Sequence, residues 1–175
     1  VSALAASTWS NDAVRTSEAI MTTDTHPKRS RAQGVIAGAT VTVAGMSKGA
    51  GMIHPGMATM LAVITTDAVV APELLYRGLK EVSDMSFNRI SVDGDMSTND
   101  TVLLLASGVS GATVTEAELP VFVELLRGVC VDLAKKIARD GEGATKLVEI
   151  RVTGATNPTM AHRVADSIAC SPLVK

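Results

Sequence analysis

The sequence is poor in aromatic residues and carries little net charge. Only 2% of its 175 residues are aromatic, and the formal charge at pH 7 is −2. Proteins that bind nucleic acid present a basic surface, and those that bind single strands also use aromatic side chains for stacking. A short basic cluster at Lys28, Arg29 and Arg31 is interpreted as a solvated turn. Nucleic acid is therefore not an expected partner.

Cysteines are also few, and no long apolar run is present. Cys130 and Cys170 cannot form a disulfide framework, and Cys130 lies on the apolar face of a predicted helix, where a small core residue fits. The three histidines show no metal-ligand spacing with these cysteines, so no metal site is expected. Without a run of about 18 apolar residues, no membrane span is predicted. Residues 1–12 also lack the basic start and apolar stretch of a secretory signal.

Hydrophobic residues, at 46%, are sufficient for one domain with an aliphatic core. Apolar runs and alternation predict strands at residues 19–23, 60–65, 89–92, 101–106 and 148–152, and two more within 33–44 around a turn at Gly38. Helices are predicted from Pro72 to about Phe87, from Pro120 to a stop at Gly141, and from Asn157-Pro158 onward. Met160, Val164 and Ile168 are expected on the buried side of the last helix. This order of elements favours a mixed α/β (α+β) fold.

Residues 48–68, KGAGMIHPGMATMLAVITTDA, contain the strongest candidate for chemistry. Thr59 follows the small residue Ala58 and opens an apolar strand. A threonine hydroxyl is a weak nucleophile without an adjacent base. If the Ala58–Thr59 bond is cut, the freed α-amino group of Thr59, with a pKa of about 7.7–8.0, becomes that base. The stretch predicts a self-processing acyl-transfer site, while the alternative is that Thr59 merely begins a buried strand.

Three other motifs do not support a second site. Residues 45–51, GMSKGAG, lack the order of a phosphate-binding loop. Residues 93–100, DGDMSTND, have Thr98 and Leu104 where a calcium loop needs glycine and a carboxylate. Residues 141–146, GEGATK, follow a predicted helix, so they do not form an anion site at a helix start.

The stretch around Thr59 resembles the processing site of the ornithine acetyltransferase (bifunctional glutamate N-acetyltransferase, ArgJ-type) family. Further family-like strings follow in order at residues 21–25 (MTTDT), 91–101 (SVDGDMSTNDT) and 140–152 (DGEGATKLVEIRV). The resemblance implies part of an α-β-β-α layered sandwich of the ArgJ/DmpA-like type. It also implies that residues 1–175 are a fragment of a single domain. Cleavage between Ala58 and Thr59 would give two products, called the α chain and the β chain. Residues 1–58 would be the end of the α chain, and residues 59–175 would be the start of the β chain.

The same resemblance implies the reaction and the site. Thr59 would take an acetyl group from N-acetylornithine and pass it to glutamate in arginine biosynthesis. Thr22, Lys48 and Glu142 match substrate-binding residues, with Lys48 suited to a carboxylate and Glu142 to an amino group. No cofactor is implied, although acetyl-CoA can be a co-substrate in the family. The implied assembly is a heterotetramer of two α and two β chains. The implied location is the cytoplasm, with an organelle such as the chloroplast or mitochondrion as the alternative.

The resemblance also identifies departures and missing parts. Gly56 stands where the family often has asparagine, and Met96 where it often has threonine. Family precursors are about twice as long, so a threonine-glycine pair for the oxyanion hole is expected before Val1, and an asparagine and a threonine beyond Lys175. Loss of one oxyanion donor costs about 10²–10³ in rate. The alternatives are an N-terminal-nucleophile aminopeptidase or amidase, and an inactive truncated fragment.

Overall fold

The computed structural model describes residues 12–54, 60–95 and 97–174. Its helices are α1 (Ala13–Ala19), α2 (Pro72–Met85), α3 (Leu119–Arg139) and α4 (Pro158–Ala169), with a 3₁₀ turn at Phe87–Arg89. Its strands are β1 (Lys28–Ile36), β2 (Ala39–Lys48), β3 (Leu61–Thr66), β4 (Val69–Val70), β5 (Thr101–Ala106) and β6 (Thr113–Val114).

Strands β1 and β2 form a hairpin that is paired antiparallel along its whole length. Ala37 and Gly38, which join the strands, both have positive φ, at 49° and 79°. Positive φ at both central residues is typical of a type I′ turn, whose twist matches that of the strands it connects. The two strands predicted around Gly38 are confirmed, and both are longer than predicted.

A four-stranded sheet with the order β1-β2-β3-β5 is built on this hairpin. Strand β3 is antiparallel to β2 and parallel to β5. Parallel neighbours need a crossover connection, and α2 lies in the chain between β3 and β5. The strands predicted at 60–65 and 101–106 are confirmed to within one residue. Strands β4 and β6 form a separate short parallel pair.

Helix α3 packs against β1 and β2, and α2 packs against α3. Two glycines of the sheet permit this close approach. A Cβ added at Gly45 would lie 3.1 Å from Cδ1 of Leu133 in α3, and one added at Gly34 would lie 2.9 Å from Cδ2 of Leu125 in the same helix. The predicted apolar face of α3 is buried, at Phe122, Leu126, Val129, Leu133 and Ile137.

Cys130 lies in this core, as predicted, and burial raises the pKa of its thiol to about 12. Both cysteines are free. None of the helices that the structure describes is long and apolar enough to cross a membrane.

Three strand predictions are wrong. Residue 19 ends α1 and residues 20–23 follow that helix, whose first turn is capped by the Asp12 side chain accepting a hydrogen bond from the Arg15 amide at 3.0 Å. Residue 89 ends the 3₁₀ turn and residues 90–92 follow it without forming a strand, and residues 148–152 form no strand either. The alternating pattern at 148–152 indicates two faces, but a strand also needs a neighbour, and no described strand pairs with this segment.

The prediction for the last helix is half correct. Helix α4 begins where predicted, with the Asn157 side chain accepting a hydrogen bond from the Met160 amide at 2.8 Å. Its apolar face is not buried, because Met160, Val164 and Ile168 are 49%, 43% and 40% exposed. An amphipathic sequence pattern identifies the apolar face of a helix, but it does not predict whether another element packs against that face.

Candidate functional site

One end of the sheet brings together the segments that carry the predicted site. At this end Lys28 of β1 pairs with Ser47 of β2, and Lys48 pairs with Leu61 at the start of β3. Leu61 in turn pairs with Thr101 at the start of β5. The chain before β1, the loop after β2 and the segments leading into β3 and β5 therefore all meet at the same end.

Thr59 and its cleavage partner Ala58 lie outside the described residues, so the predictions made for them stay predictions. Their chain neighbours are described on both sides. Residues 52–54 precede the segment and Met60 follows it.

The loop of residues 91–100 binds the chain on both sides of that segment. The Asp93 carboxylate accepts hydrogen bonds from the amides of Met52 at 2.5 Å and Ile53 at 3.0 Å. Met52 has a φ of 52°, a strained conformation for this side chain, which these contacts hold in place. The Asp100 carboxylate accepts a hydrogen bond from the Met60 amide at 2.5 Å. Two carboxylates of the loop therefore bind backbone at both ends of residues 55–59.

Asp24 links the segments of Thr22 and Lys48. Its buried carboxylate accepts hydrogen bonds from the amide of Thr22 at 3.2 Å and from the amide of Gly49 at 2.7 Å. Thr22 itself is exposed, and Lys48 at the end of β2 is half-buried. The structure therefore brings both residues to one site, through a carboxylate that the sequence did not single out.

Glu142 is held against the loop that follows Lys48. Its amide donates a hydrogen bond to the Ala50 carbonyl at 2.7 Å. Its carboxylate lies over Gly51, so closely that a Cβ added there would be 3.0 Å from the carboxyl carbon. Glu142 is exposed to solvent. An exposed carboxylate thus lies against Gly51, three residues along the chain from the half-buried Lys48.

Lys28 corrects the interpretation of the basic cluster as a solvated turn. Arg29 and Arg31 are exposed, but Lys28 is 2% exposed at the start of β1. Its Nζ lies 2.5 Å from both an Asp24 oxygen and an Asp140 oxygen. Opposite charges are the means by which such a cation can be buried. This Lys28 triad joins the Thr22 segment to the end of α3, two residues before Glu142.

The triad lowers the pKa of both carboxyls. Burial alone would raise the pKa of Asp24, but hydrogen bonds from Lys28, Gly49 and Thr22 outweigh burial and hold it below its usual value. Burial opposes ionisation of Asp140 as well, yet hydrogen bonds from Lys28 and Thr25 lower its pKa to about 2. Both carboxylates are therefore charged at neutral pH.

These acidic residues were missed as individuals, although a signal for them exists. Each of the three family-like strings outside the Thr59 stretch contains at least one aspartate that hydrogen-bonds to another segment. They are Asp24 in residues 21–25, Asp93 and Asp100 in residues 91–101, and Asp140 in residues 140–152. A short side chain that accepts backbone hydrogen bonds is well suited to fixing loops.

A second cluster forms where sequence spacing predicted no ligand set. His54, Asp166 and Cys170 place one donor atom each within 4.8 Å of one another. The Cys170 sulfur lies 3.4 Å from Nδ1 of His54 and 3.6 Å from an Asp166 oxygen. Nitrogen, sulfur and oxygen are zinc-type donors. In this arrangement the Cys170 sulfur is the shared hydrogen-bond partner of His54 and Asp166.

A cleft of about 410 Å³ opens beside the start of β3 and β5. Its lining includes Met60, Asp100 and His54, together with Tyr76, Leu79 and Lys80 of α2. Thr22, Lys48 and Glu142 do not line it. The cleft thus reaches Asp100 and Met60, the chain neighbour of Thr59.

The described fold is a mixed α/β sheet with helices packed on one face, and its polar site lies at one end of the strands. This is a layered α/β arrangement, in which α3 packs on the four-stranded sheet and α2 packs on α3. The chain belongs to the ArgJ family, whose family model matches residues 1–175.

Individual relatives agree with this assignment. The chain is 53% identical over 167 residues to the arginine biosynthesis bifunctional protein ArgJ of Geobacillus kaustophilus, covering 94% of this chain and 41% of that protein. It is 51% identical over 161 residues to the ArgJ protein of Bacillus subtilis, covering 90% and 40%. The chain thus spans less than half the length of the curated relatives it matches.

A solved structure matches the fold. The crystal structure of the ArgJ protein from Bacillus halodurans matches with a TM-score of 0.61 and 48% sequence identity. The match covers 63% of this chain and 53% of that one. The mixed α/β class and the ArgJ layered fold predicted from the sequence are confirmed.

Proposed function

We propose that this chain is the central part of an enzyme that moves an acetyl group from N-acetylornithine to glutamate, through an acetyl ester on Thr59. The observation that carries the proposal is the meeting, at one end of the sheet, of the segments bearing Thr22, Lys48 and Glu142 with Met60, the chain neighbour of Thr59. Relatives that share about half of its residues are named as arginine biosynthesis proteins.

Self-cleavage would prepare the nucleophile. The Thr59 hydroxyl attacks the Ala58 carbonyl, the peptide C–N bond breaks, and Ala58 becomes esterified to the Thr59 oxygen. Water then hydrolyses this ester, which frees the Ala58 carboxylate, the Thr59 hydroxyl and the Thr59 α-amino group. The amine provides the neighbouring base that a threonine hydroxyl needs. Cleavage would divide the protein into chains that end at residue 58 and begin at residue 59.

Acetyl transfer would follow in two steps. The Thr59 hydroxyl attacks the acetyl carbonyl of N-acetylornithine, the amide bond breaks, and ornithine leaves with the proton. The glutamate amino group then attacks the acetyl-threonine ester, and N-acetylglutamate leaves as the hydroxyl is restored. Such a relay predicts ping-pong kinetics.

The charges at the site suit amino-acid substrates. An α-amino acid carries a carboxylate and an amino group on neighbouring atoms. Lys48, a compact cation, is assigned to the carboxylate, and Glu142, an exposed carboxylate on the adjoining loop, to the amino group. Thr22 is assigned a contact with substrate from the segment that Asp24 ties to Gly49.

The wider assembly belongs to the proposal as well. We infer a heterotetramer of two α and two β chains after cleavage, acting in a reducing compartment such as the cytoplasm. Acetyl-CoA is a further candidate donor. Segments of the longer relatives outside this chain would complete the oxyanion hole and the substrate pocket, so we expect the 175-residue piece alone to be inactive.

Product analysis of the full-length protein tests the proposal. With labelled N-acetylornithine and glutamate, the expected product is labelled N-acetylglutamate. Free acetate formed equally well without glutamate would instead support an aminopeptidase or amidase. Thr59→Ala should abolish transfer, and Thr59→Ser should keep part of it because the hydroxyl remains. Transfer at the wild-type rate by Thr59→Ala would overturn the proposal.

A further inference from the structure

Helix α4 is joined to a distant part of the chain by a cluster of three chemically different side chains. None of the residues of α4 is buried. Its C-terminal cap residue, Cys170, contacts His54, which lies 116 residues earlier in the chain, and it also contacts Asp166 within the helix. The position of α4 therefore depends in part on these three groups.

The end of α4 presents two of the three donors side by side. Asp166 and Cys170 lie four residues apart, and the Cys170 amide donates a hydrogen bond to the Asp166 carbonyl at 2.9 Å. Cys170 keeps right-handed helical angles, with φ of −89° and ψ of −3°. Side chains four residues apart on a helix lie on the same face. The helix therefore holds a carboxylate and a thiol together without help from any other element.

The third donor comes from a backbone that is anchored independently of α4. The Asp93 carboxylate accepts hydrogen bonds from the amides of Met52 and Ile53, and the Ile53 carbonyl accepts one from the Val92 amide at 2.6 Å. Ile53 is 1% exposed. The imidazole of His54 thus follows a fixed residue, and the three side chains of the cluster are half-buried.

The separations of the donor atoms match the edges of a tetrahedral metal site. Zinc lies about 2.3 Å from a thiolate sulfur and about 2.0–2.2 Å from an imidazole nitrogen or a carboxylate oxygen, so tetrahedral angles place the sulfur about 3.6 Å from each of the others. The Cys170 sulfur is 3.4 Å from Nδ1 of His54 and 3.6 Å from Oδ1 of Asp166. All three donor atoms lie within 4.8 Å of one another, so a single ion can contact all of them.

We propose that His54, Asp166 and Cys170 bind a divalent cation of the zinc type, with water as the fourth ligand, and that this ion fastens the end of α4 to the anchored backbone before His54. The inference does not rest on the proposed acetyl transfer. The ion displaces the thiol proton to solvent, so Cys170 binds as thiolate, Asp166 as carboxylate and His54 as neutral imidazole. Two negative charges then balance the charge of the ion.

The donor set also defines which ions fit. Thiolate and imidazole ligands favour zinc and cobalt over magnesium and calcium, which prefer oxygen ligands alone. Three protein ligands and one water are the arrangement of a zinc site with an open position. We therefore expect zinc to compete with cobalt for this site, and magnesium not to compete.

Cobalt(II) absorption in the full-length protein, reduced and freed of metal by a chelator, tests the proposal. One equivalent of Co²⁺ should produce a thiolate-to-cobalt charge-transfer band and the visible bands of a four-coordinate ion, which Zn²⁺ removes and excess Mg²⁺ does not. Cys170→Ser should abolish the charge-transfer band. His54→Gln and Asp166→Asn should each weaken cobalt binding by at least about 10-fold, the smallest effect typical of changes around a metal ligand.

Two variants serve as matched controls. His26→Gln removes an exposed histidine, and Cys130→Ala removes the buried thiol of the core. Both should bind cobalt as the wild type does. Thermal unfolding gives a second measurement, because an ion that binds the folded state stabilises it. Zn²⁺ should raise the unfolding midpoint of the wild type and of His26→Gln, but not that of Cys170→Ser.

Two results would overturn the proposal. A wild-type protein without the charge-transfer band would show that the three side chains form a hydrogen-bonded cluster only. The same band and the same cobalt affinity in folded Cys170→Ser would place the ion elsewhere. Cys170→Ala replaces Cys170→Ser if the latter is not recovered folded, since it also removes the thiolate.

Discussion

At the residue scale, burial of Lys28 illustrates what sequence reasoning missed. Lys28, Arg29 and Arg31 are adjacent basic residues, and nothing in their spacing distinguishes a buried lysine from two exposed arginines. The difference arises from Asp24 and Asp140, which lie 4 and 112 residues away and reach Lys28 only in the folded chain. Long-range charge pairing of this kind cannot be predicted from local composition.

Lys28→Met should therefore destabilise the protein strongly. The methionine fills a similar volume but leaves two buried carboxylates without their cation, and breaking a buried ion pair in this way costs about 3–5 kcal/mol. Urea unfolding measures the loss of unfolding free energy. Arg31→Met is the control, with an expected change within about 0.5 kcal/mol, because Arg31 is exposed on the same strand. Equal effects of the two substitutions would contradict the structural role of the triad.

At the element scale, predictions were correct where the signal is local. A proline in the first turn and an apolar face marked α2 and α3, and short apolar runs bounded by turn residues marked β3 and β5. Predictions failed where the outcome depends on a neighbour. Residues 148–152 alternate as a strand does, yet no described strand pairs with them. The apolar face of α4 was identified correctly, but its burial was not.

The contact between the loop after β2 and Glu142 makes a prediction at this scale. Gly51→Ala introduces a Cβ that would lie 3.0 Å from the Glu142 carboxylate, so that exposed and flexible side chain must move away. In the full-length enzyme we expect KM for glutamate or N-acetylornithine to rise, as it should in Glu142→Ala, with unfolding free energy nearly unchanged. The rise in KM should correspond to at most about 1.5–3 kcal/mol of binding free energy, which is the value of a lost hydrogen bond to a charged group.

The matched control for this prediction is Gly128→Ala. Gly128 lies in α3, where an added Cβ meets no atom within 4 Å. Its KM should equal that of the wild type, since the helix gains only a better helix former. Unchanged KM in both Gly51→Ala and Glu142→Ala would remove Glu142 from the substrate site. Gly51→Ala and Glu142→Ala should both still self-cleave, because cleavage needs no bound amino acid.

At the scale of the whole molecule, the Lys28 triad predicts how stability responds to acid. The pKa of Asp140 falls from its usual 3.8 to about 2 in the folded protein, and that of Asp24 is lowered as well. Unfolded chains therefore bind more protons in this range, and stability falls as the pH drops from about 4 toward 2. Unfolding free energies measured across this range should show that slope. Lys28→Met should make the unfolding free energy less dependent on pH in this range. An equally steep slope in the variant would contradict the attribution of the slope to the Lys28 triad.

The sequence predicted the class of fold and the order of most elements, and its resemblance to the ArgJ family was confirmed. The resemblance implied Thr22, Lys48 and Glu142 as substrate-binding residues; the structure brings their segments to one end of the sheet, and their roles stay predictions. The aspartates that hold these segments together escaped notice, because their role depends on backbone amides that are distant along the chain. Thr59 was predicted from its neighbours in sequence alone.

The central claim, that Thr59 is a nucleophile made by self-cleavage, is tested most directly by the intact mass of the purified full-length protein. We predict two chains divided between Ala58 and Thr59, the second beginning Thr59-Met60-Leu61, and a single unbroken chain in Thr59→Ala. A wild-type protein that transfers acetyl groups while every molecule has the mass of the unbroken chain would contradict the account.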